Sequence, residues 1–374
     1  MSNNIYSPGL EAQAAFTINV FNQIFNSNTS VAFSPYSLTL ALAMCYVGAG
    51  GKTEEEFKNL LSPKMKRNEF CQYLENSIHN ISEPSTNGSN IFIGNKLFVQ
   101  NNFTLNDTYK KEIKQYFNGD IDNVDFGDAA TSAKQINDYI SNVTHNKIKD
   151  LISSSAITPL TQTILTNAIY FKNSWKEEFL KELTSEDDFY SEPNTTKKVD
   201  MMSKFGKMIY GGDSNCHVVK IPYADNRSSF VLVLPREKNT LNEFIKTLTP
   251  QKFLVLLHST SHKKVNLYMP KFKVESTHEL NEPLKKIGLI DAFSSNANFS
   301  KISSSNHLSI DKVIQKVYVD VNEEGTEAAA STAIMMVMKS APMMEERPIV
   351  VRANHPFLYF ILNDEQILFN GVYH

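Results

Sequence analysis

The 374-residue sequence is poor in cysteine, with three, holds one tryptophan, and contains no apolar run near the ~20 residues of a membrane span. Cys45, Cys71 and Cys216 lie far apart and form no CxxC pair; an odd, scattered count argues against a disulfide-stapled fold and against a zinc site. Cys45 lies within the apolar run 38–47 and reads as a small core residue. The first eight residues lack the basic flank and apolar stretch of a secretory signal, so the cytoplasm is the expected location, with leaderless secretion as the alternative. A net charge of −3 gives no general pull toward nucleic acid or anionic membrane, and neither is expected as a partner.

Catalytic signatures are missing as well. There is no GxSxG elbow and no HExxH pair. The glycine-rich stretch 48–53 would need a first glycine at Tyr46 to read as a phosphate loop, and a helix precedes it. His258 and His262 are four apart, but the Ser-Thr-Ser between them suggests a helix end rather than a ligand pair. No enzyme activity, metal or cofactor is expected.

What is present is patterned. Residues 11–26 carry apolar positions on one helical face. Ser34-Pro35 reads as an N-cap with Pro at the first helical position, opening an apolar helix to about Val47. Thr53-Glu54-Glu55-Glu56 has capping-box spacing, and residues 130–151 return to a helical pattern. Later come short β-rich runs at 163–171, 229–234, 265–274, 313–321, 349–352, 357–362 and 367–372, interrupted by helices at about 241–257 and 278–287. Helices first and strands later, without β-α-β alternation, predicts an α+β fold built on large sheets. No linker divides the chain, so one domain over 1–374 is expected.

Residues 313–344 stand apart. A strand-like run ending at Val321 is followed by Glu323-Glu324-Gly325, then by Thr326, Glu327, Ala328, Ala329, Ala330, Ser331 and Thr332, and finally by an apolar stretch to Met338 and Lys339-Ser340. With period two, one face is Thr326, Ala328, Ala330, Thr332, Ile334, Met336 and Met338, small at its start and larger at its end. Pattern alone leaves an alanine-rich helix or an ordinary strand open.

Glu-Glu-Gly-Thr-Glu-Ala-Ala-Ala after a strand resembles the hinge of an inhibitory serpin. Other motifs agree in the family's order: Phe33-Ser34-Pro35-Tyr36-Ser37, the run from Asn167 to Trp175, Tyr268-Met269-Pro270-Lys271-Phe272, and His355-Pro356-Phe357-Leu358. The resemblance implies a serpin fold, with a helical cluster packed on three β-sheets, a large central sheet and an exposed reactive-centre loop at about 323–348. It also implies suicide-substrate inhibition. A serine protease cleaves the loop and is held as an acyl-enzyme, and the hinge then inserts as an extra strand. The family places the reactive bond fourteen residues beyond Gly325, which gives Lys339–Ser340 and a trypsin-like target.

The chain between Lys339 and His355 is longer than in typical members, which keeps Met338 as an alternative, read by chymotrypsin-like or cathepsin-G-like proteases. The other alternative is a non-inhibitory carrier, storage protein or chaperone, although the hinge lacks the bulky, charged or Pro residues usual there. Ser34, Ser37 and Asn167 match the polar shutter that controls opening of the central strands. Gln315 replaces a histidine usual in the family and has no titratable ring. Trp175, Lys271 and Glu323 match the breach where insertion begins, with Lys271 and Glu323 expected to pair. The expected partner is a serine protease, covalently bound after cleavage, and the native state is expected to be a monomer.

Overall fold

A computed structural model describes residues 6–82, 90–304, 308–326 and 347–374. Its helices begin where the chain supplies caps. Helix α1 (Pro8–Ile24) opens with the Ser7 hydroxyl accepting the Leu10 N–H, and Pro8 at its first position. Helix α2 (Pro35–Gly48) opens the same way at Ser34-Pro35, as the sequence predicts, and all its residues are buried. A helix apolar all round belongs in the interior, and α2 is the central rod of the molecule.

Helix α3 (Gly51–Leu61) departs from expectation. It starts from Gly50 with no side-chain cap, because Thr53 is used elsewhere: its hydroxyl donates to Asp291 Oδ2 and accepts the Asn298 N–H. Next come α4 (Arg67–Ser82), α5 (Asp107–Phe117) and α6 (Ala129–Val143). Helix α6 ends earlier than the predicted 151, as His145 and Asn146 take positive φ. The single helix expected at 241–257 is two, α7 (Leu241–Thr247) and α8 (Pro250–His258), because Pro250 has no N–H to continue a ladder and Thr249 caps the second. Helix α9 (Asn281–Lys286) stops before Gly288, at φ +106°.

The strands are β1 (Val31–Phe33), β2 (Asn90–Gln100), β3 (Asp120–Val124), β4 (Thr163–Ser174), β5 (Ser185–Glu192), β6 (Thr195–Gly212), β7 (Cys216–Pro222) and β8 (Ser228–Pro235). They continue as β9 (Thr260–Pro270), β10 (Phe272–Glu279), β11 (Lys312–Val321), β12 (Gly325–Thr326), β13 (Ile349–Arg352), β14 (Phe357–Asn363) and β15 (Gln366–Tyr373). The run expected at 265–274 is two strands that part at Pro270 and belong to different sheets.

Hydrogen bonding gathers these strands into a six-stranded set, β10-β11-β12-β4-β2-β3, and a nine-stranded set. The larger set comprises two of the three expected sheets, joined through the 18-residue β6. Its first part pairs with β5 and its last with β7, on either side of Gly206, whose φ of +142° suits glycine. The main core fills the space between the sets and around α2. Among the described residues no helix is long and apolar enough to cross a membrane.

Candidate functional site

The six-stranded sheet contains a seam. Strands β11 and β4 run parallel and pair directly over seven positions, from Lys312↔Ile164 to Tyr318↔Tyr170. Beyond that they diverge, and β12 sits between them, antiparallel to both: Thr326 faces Val321 on one side and Asn173 on the other. The seam has a closed middle and a wedged upper end.

The middle is tied by amides and hydroxyls. Gln315, fully buried on β11, accepts the Ser34 N–H at 2.9 Å through Oε1 and donates through Nε2 to the Ser34 carbonyl, also at 2.9 Å. The same Nε2 donates across the seam to Asn167 Oδ1. Asn167 Nδ2 in turn donates to Ser37 Oγ and to Asn95 Oδ1. Ser34 Oγ donates to the Leu368 carbonyl of β15 at 2.7 Å. Ser34, Ser37, Asn167 and Gln315, expected together from the family resemblance, meet in one network that spans both sheets and the start of α2.

Asn95 was not foreseen, although it completes the network. Asn95 beside Lys96, between the apolar positions Ile91–Ile93 and Leu97–Val99 of β2, was the only signal in the sequence. On the neighbouring strand His278 lies directly across from Gln315 and donates through Nε2 to the Ala32 carbonyl at 2.7 Å. Burial lowers its pKa, because a charged ring would lose its hydration there.

At the upper end Trp175 is buried and donates its indole N–H to the Asn322 carbonyl at 2.8 Å. Its backbone N–H reaches the Glu324 carbonyl at 2.9 Å, as the Phe179 N–H reaches the Glu323 carbonyl. The ring stacks on Tyr223 with centroids 4.5 Å apart, and the Tyr223 hydroxyl bonds Thr326 Oγ1 at 2.6 Å. Lys271 donates to Glu323 Oε1 at 3.3 Å, joined by the Thr184 hydroxyl at 3.0 Å. Burial pushes the Glu323 carboxyl up, but hydrogen bonds and the Lys271 charge outweigh it and hold the pKa below the usual range. Lys181 pairs with Glu324 at 2.5 Å. Thr184, Tyr223, Asn322 and Lys181 carry no sequence motif and were missed.

Of the expected loop, Glu323, Gly325 and Thr326 are buried and Glu324 is held by Lys181, so these four belong to the sheet's upper end rather than to an exposed segment. Glu327, Ala328, Ala329, Ala330, Ser331, Thr332, Met338, Lys339 and Ser340 lie outside the described residues. His258 ends α8 while His262 lies in β9, so the two share no helix. Lys64 pairs with Glu11, and Arg67 with Glu112 and the Val47 carbonyl.

Comparison with known proteins gives one answer. Residues 11–374 match the family described as serpin (serine protease inhibitor). Antichymotrypsin-2 of Bombyx mori is 33% identical over 96% of both chains, and intracellular coagulation inhibitor 2 of Tachypleus tridentatus is 34% identical over 95% of this chain and 88% of that one. Among solved structures, tengpin, a thermophilic serpin in its native state, superposes with a TM-score of 0.89 at 29% identity, covering 100% of this chain and 95% of that one. Serpin48 of Tenebrio molitor gives 0.88 at 26% identity, with 99% of each chain covered. A central sheet with a wedged upper end, a buried polar tie beneath it and a family match over nearly the whole chain lead to one conclusion: this chain belongs to the serpin family.

Proposed function

We propose that this protein is a suicide-substrate inhibitor of trypsin-like serine proteases, with Lys339–Ser340 as the reactive bond. The observation that carries the reading is β12. Two residues of the hinge already lie between β4 and β11, hydrogen-bonded antiparallel to both, while the strands below them still pair with each other. Extending β12 downward replaces one parallel ladder with two antiparallel ones, and antiparallel pairing is slightly the more stable per residue.

The registers support this further. Continued one residue for one, they set Ala328 between Phe171 and Val319, Ala330 between Ile169 and Val317, and Thr332 between Asn167 and Gln315. Those flanking positions face the main core or the polar tie, so the side of the segment that turns inward is the one starting with small residues. Thr332 arrives where the Gln315–Asn167 bond must part, and its hydroxyl offers both a donor and an acceptor to the two amides. Thirteen residues from Thr326 to Met338 reach roughly 43 Å at ~3.3 Å each, enough to carry a tethered protease along the sheet.

The test is incubation with trypsin and with chymotrypsin, followed by denaturing electrophoresis and sequencing of the released peptide. A covalent adduct and a peptide starting at Ser340 are expected. A peptide starting at Lys339 moves the reactive residue to Met338. Clean cleavage without any adduct defeats inhibition and leaves the carrier reading.

A further inference from the structure

We infer that Asp311 is a clasp on the lower end of the central sheet, one that governs the last stage of loop insertion and so how far a captured protease is carried. The inference rests on the inhibitory reading above. It starts below the seven positions over which β4 and β11 pair. There the ladder runs one step further, with the Asp311 N–H donating to the Thr163 carbonyl at 3.1 Å. The Asp311 side chain then crosses the seam: its Oδ2 accepts the Gln162 N–H at 2.7 Å and the Thr163 N–H at 2.9 Å. Gln162 crosses in the other direction, its Oε1 accepting the Ser309 N–H at 3.0 Å and the Ser309 hydroxyl at 3.2 Å.

The carboxylate is held where it can do this. Asn281, at the start of α9, donates through Nδ2 to the Asp311 carbonyl at 2.6 Å and accepts the Val313 N–H through Oδ1 at 2.8 Å. Lys312, next in the chain, turns to Glu279 at 4.0 Å, which leaves the Asp311 carboxylate to the two backbone N–H groups. Hydrogen bonds to an ionised acceptor are roughly twice as strong as neutral ones. The tie between Gln315 and Asn167 higher up uses amides alone.

Register decides when the clasp matters. Thr326 lies opposite Asn173 and Val321, and Thr163 and Asp311 lie ten positions further down those two strands. The tenth residue after Thr326 is Met336. An inserting strand therefore passes the Gln315–Asn167 tie at Thr332, and four residues later it has to part Asp311 from Gln162 and Thr163. A strand stopped there leaves Met336, Val337 and Met338 outside, roughly 10 Å of travel at ~3.3 Å per residue. Once opened, the clasp has no need to close. Asp311 is only half-buried, so its carboxylate can turn to water, and the incoming strand brings backbone carbonyls to the freed edge of β4. The clasp slows arrival at the inserted state without opposing that state once it is reached.

The test uses two labelled synthetic peptides, copies of residues 327–333 and 327–338, with the variants Asp311→Asn and Asp311→Ser. On the same register the shorter peptide ends three positions above Thr163 and the longer one passes it. Uptake by the full chain is followed by gel filtration and by the rise in unfolding midpoint. Both variants are expected to take up the longer peptide about fivefold faster than the parent or more, and the shorter one within about twofold of it. Gln315→Ala loosens the tie that both peptides must pass, and is expected to speed both alike. Equal acceleration of the two peptides by the Asp311 variants makes the residue a general support of the sheet and overturns the inference, as does no acceleration of the longer one. A parent protein that takes up neither peptide and forms no adduct with trypsin fails the inhibitory reading and takes the clasp with it. Uptake without the dependence on length fails the clasp alone.

Discussion

The middle and the upper end of the β4–β11 seam are built on opposite principles. The middle is held by uncharged groups: Gln315, Asn167, Asn95 and Ser37 share hydrogen bonds in full burial, and the strands on either side are in direct register. The upper end is held by ion pairs with lysines at the edge of solvent, Lys271 on Glu323 and Lys181 on Glu324, beside the buried stack of Trp175 on Tyr223. A buried uncharged network loses much when one member is removed, because the others are left without partners. An ion pair near water loses little. The middle therefore suits a latch and the upper end a guide that keeps the wedge started.

Breaking the wedge should have the largest effect. Ala328→Pro places a residue without an N–H inside the inserting strand. Under the proposed mechanism it turns the inhibitor into a substrate, raising the protein consumed per protease inactivated by about tenfold or more. An unchanged stoichiometry in a titration against trypsin counts against insertion.

Breaking the latch comes next. Gln315→Ala leaves the Ser34 N–H and Asn167 Oδ1 without their partner, while the Ser34 carbonyl keeps the Leu38 N–H, at roughly 1–3 kcal/mol for each buried group orphaned. A lower unfolding midpoint and faster loss of inhibitory activity on warming are expected. If both match the parent protein, the network is not a latch. Gln315→His probes the same network with a titratable ring, so the rate of activity loss should vary with pH more steeply than the parent's.

Breaking the guide should be mild. Lys271→Ala removes a half-exposed partner from Glu323, and about 1 kcal/mol or less is expected in the unfolding midpoint. A loss as large as that of Gln315→Ala would erase the distinction between the middle and the upper end.

Acid acts on the buried histidines, with His278 beside the latch among them. Burial and the nearby Arg236 lower His217 to about 4, against its ordinary 6.5, so the folded state binds fewer protons than the unfolded chain between those values. The stabilisation is present above pH 6.5 and is lost as pH falls toward 4. Glu323, held below its usual range, adds a loss at the acid end only. The unfolding midpoint should decline across that window, and His217→Gln should flatten the decline. A flat profile in the parent protein refutes this.

Legibility followed chemistry that is local. Ser34-Pro35 declared its helix because an N-cap and a first-turn proline act within four residues. Thr53 looked like the same device and was not, since its hydroxyl is claimed by Asp291 and Asn298, distant in sequence. Strand β6 was not among the predicted runs for a similar reason: it carries lysines and glycines, and pairing with three other strands makes it a strand. At the site, the family resemblance named Ser34, Ser37, Asn167, Gln315, Trp175, Lys271 and Glu323, yet Asn95 and Tyr223 emerged only from contacts. The hinge beyond Thr326 and the bait rest on sequence alone.

The parallel pairing of β4 with β11 also sets a clock. If the inserted state is the more stable one, seven register pairs and one amide network hold the molecule short of it, and its working life is a rate rather than an equilibrium. Apparent melting temperature should then climb with heating rate, and the useful lifetime should shorten steeply with each degree of fever or summer heat. An inhibitor of this kind ages in storage even when nothing cleaves it.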